Sequence, residues 1–180
     1  MLLGIGCNKS QDKPEDSKVK AEEHNEAKFD DTAKENDSQF LVDAAEINLE
    51  EILLGQLAAQ KGSMDNVREL GMMMEKVHNK SMADLTVLAS KKMITIPTSV
   101  SDDAKKTYDK LVKQSAEEFD EAYSTMMVKK HKEAIELFEK AATEASDAEI
   151  RLWASSGLPE LKNHLDHAVI CQKASEKLNK

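Results

Sequence analysis

Proline and glycine are scarce, at three and six of 180 residues, and the aromatics amount to one Trp, two Tyr and four Phe. So few turn signals, beside abundant Ala, Leu, Met, Glu and Lys, point to an all-α chain. The two cysteines, Cys7 and Cys171, stand in unlike settings, one in a polar tail and one inside a helical pattern, so no disulfide between them is expected. No stretch approaches the roughly 18–20 apolar residues that cross a bilayer. A net charge of -9 without a clustered basic surface excludes a nucleic-acid partner. The chain also lacks a glycine-rich phosphate loop, a serine elbow and a Cys-x-x-Cys pair, so phosphoryl transfer, triad hydrolysis and thiol redox chemistry have no support.

What is present begins with a short apolar run, Met1-Leu2-Leu3-Gly4-Ile5-Gly6-Cys7, that turns abruptly polar at Asn8. This resembles the lipobox of a bacterial lipoprotein signal, with Cys7 as the lipidated residue. It leads to the expectation of a membrane partner through that anchor, on the periplasmic side of the cell envelope. Residues 8–37 are dominated by Asp, Glu, Lys, Asn and Ser, with Val19 and Phe29 as the large apolar exceptions. Too little surface can be buried there to offset ordering entropy. The segment reads as a disordered acidic linker of about 30 residues, reaching roughly 30 Å.

Residues 38–180 read as an antiparallel four-helix bundle with a short extra helix between its second and third long helices. The first long helix starts at Ser38 as N-cap and stops at Gly62, with an inner stripe of Phe40, Ala44, Ile47, Glu51, Leu54 and Ala58. The second, from Met64 to Lys91, presents Val67, Gly71, Met74, His78, Ser81, Leu85 and Leu88. A short helix follows Pro97, from Asp102 to Gln114. Ser115-Ala116-Glu117-Glu118 has capping-box form and opens the third long helix, to Ala145, whose stripe contains Met127, His131, Ala134 and Phe138. The fourth starts near Asp147, carries Ile150, Ala154, Leu161, His164, Ala168 and Cys171 inward, and is expected to kink at Pro159.

Each long helix thus places one ionisable side chain on its apolar stripe: Glu51, His78, His131 and His164. Counted from the turn near Gly62, Glu51 lies 11 residues away and His78 16; from the turn near Ser146, His131 lies 15 away and His164 18. At 1.5 Å per residue the mismatches are roughly 5–8 Å, about one turn, so the four are expected to share a layer.

The segments EEILLGQLAAQKGS, FDEAYSTMMVKKHKEAIELFEKAA and LPELKNHLDHA resemble the exported bacterial family called domain of unknown function 4142, over about Gln39 to Gln172. The resemblance implies a ferritin-like bundle behind a signal peptide. The matching motif positions are Glu51, His78, Phe119-Asp120 with Tyr123, His131, and Leu158-Pro159 with His164. It implies no activity.

A di-iron bundle needs a Glu-x-x-His on each of two helices. Glu75-x-x-His78 is one, but Leu161 stands where the second Glu is required. Three histidines and a carboxylate suit a single transition-metal ion, zinc, iron or copper. The same four residues also suit a buried hydrogen-bond cluster, with Glu51 ionised and at least one histidine protonated or bonded to a neighbouring helix. Glu75, Asp120, Tyr123 and His167 are weaker candidates to support such a site; Asp120 and Tyr123, one turn apart, fit a structural role better, and His167 a surface position. The methionines at 72–74, 82 and 126–127 suggest soft copper ligands, but their spacing does not set three sulfurs on one face, and they read as core filling. Three functions remain open: a non-enzymatic envelope lipoprotein acting by interaction or in stress protection, a metal-binding bundle, and a metal-dependent oxidoreductase.

Overall fold

The computed structural model describes residues 16–178, and these are helical almost throughout: α1 Ser17–Lys28, α2 Thr32–Lys61, α3 Asp65–Lys92, α4 Asp102–Val112, α5 Ala116–Glu144 and α6 Ala148–Leu178. Cys7 and residues 1–15 lie outside the described residues. The elements pack as a helical bundle, α2 chiefly on α3 and α5 chiefly on α6. No described helix is long and apolar enough to cross a membrane.

The expected linker is corrected from residue 17 onward, where α1 and the first turns of α2 lie. The large apolar residues of that stretch are not what holds it, since Val19 is exposed and Phe29 only half-buried. Small and polar groups do so instead. Ala21 and Asn25 are buried against the bundle. Asn25 Nδ2 donates to Thr95 O at 2.8 Å while Thr95 N donates to Asn25 Oδ1 at 2.8 Å. Asp16 caps α1 through Lys18 N and also accepts from Asp102 N at the start of α4. Lys18 pairs with Asp43 of α2 at 2.8 Å. α2 accordingly starts six residues before Ser38, with Asp31 accepting from Ala33 N as its N-cap. Ser38 is buried within the helix, its hydroxyl donating to Glu35 O.

Other boundaries follow their local chemistry. Ser115 and Glu118 make the full capping box. α6 runs through Pro159 as one helix. α2 and α3 approach closely because Gly55 and Gly71 face one another. A Cβ on Gly55 would stand 2.7 Å from Gly71 O, and one on Gly71 would stand 2.6 Å from Gly55 O, so neither position admits a side chain.

The turns after α2 and after α5 are built alike, and each is closed by a carboxylate from the other helical pair. Asp120 of α5 accepts from Ser63 N, Ser63 Oγ and Met64 N; Asp37 of α2 accepts from Ser146 N, Ser146 Oγ and Asp147 N. Arg68 donates to the carbonyls of Gly62 and Ser63, and Arg151 to those of Ala145 and Ser146. Asp37, Ser63 and Arg68 recur 83 positions later as Asp120, Ser146 and Arg151. This internal repeat of two helical pairs is not conspicuous in the sequence, because a handful of polar residues carry it.

The apolar core has two parts. One gathers Leu54, Leu57, Val67, Met74, Phe119, Tyr123 and Met127. The other gathers Phe40, Leu41, Leu85, Phe138, Ile150 and Leu161, where Phe40, Phe138 and Trp153 meet edge-on or tilted at centroid distances of 5.2–5.9 Å.

Asp37 and Asp120 are both buried, so Asp37→Ala or Asp120→Ala removes the acceptor of two part-buried N–H groups at each turn. Each substitution is expected to cost about 2–3 kcal/mol, lowering the melting temperature by about 5–10 °C. Urea denaturation of the full chain measures this, and a loss under about 0.5 kcal/mol for either variant contradicts the closing role.

Candidate metal centre

Between the two apolar clusters lies a buried polar layer. His78 on α3, His131 on α5 and His164 on α6 are 3 %, 1 % and 0 % exposed. One nitrogen from each lies within 4.8 Å of one from each of the others, and no Cys, Asp or Glu among the described residues joins that group. Glu51 therefore does not share the layer as expected. α2 contributes Asn48 instead, one turn earlier, whose Oδ1 stands 2.9 Å from His78 Nδ1.

The hydrogen bonds fix the tautomers. Asn48 Nδ2 donates to Ala44 O, which turns Oδ1 toward His78, so His78 Nδ1 carries the proton. His131 Nδ1 donates to Met127 O at 2.9 Å, leaving its Nε2 as an acceptor. His164 Nδ1 donates to that nitrogen at 3.3 Å. Nε2 of His78 and Nε2 of His164 have no hydrogen-bond partner. Glu160 Oε1, one turn back along α6, stands 3.2 Å from His164 Nε2 as an ion-pair contact if the ring is charged, but not in hydrogen-bonding geometry.

Burial also sets the charge of the layer. It pushes His78 well below the usual histidine range, aided by His164 and His131. It lowers His131 against the opposing bond to Met127 O, and takes His164 down to about 3. Glu51, 2 % exposed, is pushed up to about 8 by burial despite Lys130 nearby. Burial thus favours the uncharged forms of the rings and of Glu51 rather than an ionised Glu51 beside a protonated histidine, while bonds to neighbouring helices join His78 to Asn48 and His131 to His164. Tyr123 is fully buried and stacked on Phe119. Burial and then Glu51 hold its hydroxyl well above the ordinary tyrosine value. The Tyr123 hydroxyl and Glu51 Oε2 are both without partners.

The other support residues lie apart from the rings. Glu75 accepts from Gln56 of α2. Asp120 closes the turn after α2, and His167 is exposed. Met72 is exposed, Met73 half-buried and Met74 in the core, so the run at 72–74 points three ways. Cys171 donates weakly to Asn66 O, and burial raises its thiol to about 11. Sequence reasoning missed Asn48, which precedes Glu51 by one turn and matches His131 in the 83-residue repeat, and Glu160, whose signal was its i,i+4 spacing to His164. A groove of about 440 Å³ lined by α3 and α6 residues reaches the layer at Asn48, His78 and His164.

Glu51 makes the folded state bind a proton that the unfolded chain releases above about pH 4.5, so its contribution weakens stability as pH rises from about 4.5 to about 8. The depressed histidines act oppositely: their contribution is full above about pH 6.5 and is lost as pH falls below it. Relative to the native chain, Glu51→Gln should gain stability progressively across pH 4.5–8, reaching about 1–3 kcal/mol near pH 7. Denaturation at several pH values measures the difference, and a constant offset across the range contradicts an uncharged Glu51.

A family model described as Domain of unknown function (DUF4142) matches residues 22–169. Neither a curated protein nor a solved structure matches the chain. The match begins within α1 and ends within α6, and so takes in the whole polar layer. The chain therefore belongs to the DUF4142 family.

Proposed function

We propose that this protein is a non-enzymatic metal-binding bundle that holds one zinc ion on His78, His131 and His164. The supporting observation is three buried, uncharged imidazoles with converging nitrogens, two of whose rings carry an unpartnered Nε2. Metal ligation requires neutral histidine. The 3.3 Å between His131 Nε2 and His164 Nδ1 equals the edge of a tetrahedron of nitrogens about 2.0–2.1 Å from zinc, which is about 3.3–3.4 Å. In that arrangement His78 and His131 bind through Nε2. Their Nδ1–H groups stay on Asn48 and Met127 O, the outer bonds that orient metal-bound histidines. His164 binds through Nδ1 and moves its proton to Nε2, beside the Glu160 carboxylate.

The donor set selects among metals. Iron oxygenase sites use two histidines and a carboxylate, and di-iron bundles use several carboxylates. Among the described residues no carboxylate joins the three rings, which disfavours an oxidoreductase. We propose further that the four long helices form an antiparallel, ferritin-like bundle, and that the chain is an envelope lipoprotein tethered through Cys7. A second reading, an interaction module whose polar layer sets helix registry, is favoured by the His131–His164 hydrogen bond already in place.

Elemental mass spectrometry and chelator competition on the untagged full chain separate the two. The metal reading predicts about one zinc per chain and an affinity lowered about a hundredfold or more by His131→Ala, with Glu51→Gln and His167→Ala within about threefold of the native value. Zinc that fails to bind, or that binds His131→Ala as tightly, leaves the registry reading.

A further inference from the structure

The groove that reaches the histidine layer is lined by His78 and His164 but not by His131. An ion held by the three nitrogens would be approached from the groove past His78 and His164, with His131 on the far side from it. Three protein ligands with an open fourth position is the pattern of zinc sites that take an outside ligand rather than closed structural ones. The remaining question is what chemistry that position accepts.

The three rings bring no charge, so a divalent ion keeps its own, and an anionic donor is favoured at the fourth position. Beyond the rings one stretch of wall is apolar and flat: Phe138 and Trp153 lie tilted at a centroid distance of 5.4 Å, and Ile47 and Leu161 line the same groove. Lys80 is paired with Asp84 at 2.8 Å, and Lys76 and Glu160 also line the groove. The volume of about 440 Å³ falls at the small end of organic-ligand pockets, which run about 300–1,000 Å³.

We infer that the groove over His78 and His164 is a binding site for a small organic carboxylate with a flat apolar body. The carboxylate completes the ion's coordination and the body lies against Phe138 and Trp153. This inference rests on the metal reading above.

The test uses the full chain loaded with cobalt(II) in place of zinc, whose visible bands report coordination. Benzoate is the probe and acetate its control. Benzoate should shift the bands and saturate, binding at least about tenfold tighter than acetate because only its ring reaches the aromatic wall. Ser81→Phe puts bulk into the groove one turn from His78; it should keep cobalt affinity within about threefold and weaken benzoate at least about tenfold. If that variant does not fold, Trp153→Ala serves, weakening benzoate while leaving acetate unchanged. Cobalt that binds with bands unmoved by benzoate overturns the inference alone, as does an equal benzoate response in the groove variants. Failure of cobalt to bind overturns the metal reading and the inference with it.

Discussion

Two buried carboxylates set the register on which the rest of the structure depends. Asp37 of α2 closes the turn between α5 and α6, and Asp120 of α5 closes the turn between α2 and α3. Each accepts two backbone N–H groups and a serine hydroxyl that would otherwise lack partners at a helix junction. Because each cap crosses between the pairs, α2 and α5 cannot slide past one another without stranding both turns. Asn48 lies eleven residues after Asp37, and His131 eleven after Asp120. The two caps thus bring these residues to matching heights on their helices.

The polar layer departs from the repeat where its chemistry lies. The repeat partner of His78 is Leu161, and that of His164 is Ser81. Two histidines therefore come from α3 and α6 at positions one turn apart in the repeat, while Asn48 and His131 occupy equivalent ones. A layer serving registry alone would gain nothing from this asymmetry, since matched pairs satisfy one another more simply. Burying imidazoles with unpartnered Nε2 atoms is costly. In the proposed site an ion would take the His78 Nε2 lone pair as a ligand, and the His164 Nε2 would gain a proton facing Glu160. Glu51, a turn away and uncharged near neutral pH, adds no competing anion to the layer.

Much of this was legible in the sequence. Apolar periodicity located four long helices to within a few residues at most of their ends, and of the four interruptions it marked, His78, His131 and His164 come together while Glu51 does not join them. Two things were hidden, for physical reasons. α1 is held by Asn25, Asp16 and Lys18 rather than by apolar burial, so a composition argument that weighs only large apolar residues reads it as a linker. Asn48 escaped because a neutral amide beside an apolar stripe resembles a boundary residue, whereas Glu51 stood out by its charge. Counting residues from a turn gives height to about one helical turn, and that margin is the distance between Asn48 and Glu51.

Long-range proton–nitrogen NMR of the histidine rings tests the central claim most directly, because it reads tautomer and metal ligation at the same atoms. In the zinc-free full chain at neutral pH, His78 and His131 should be uncharged and protonated on Nδ1. Zinc should then displace the Nε2 resonances of His78 and His131 and the Nδ1 resonance of His164, leaving His24 and His167 in place. A protonated ring among the three buried histidines, or zinc that shifts only the exposed ones, contradicts the account.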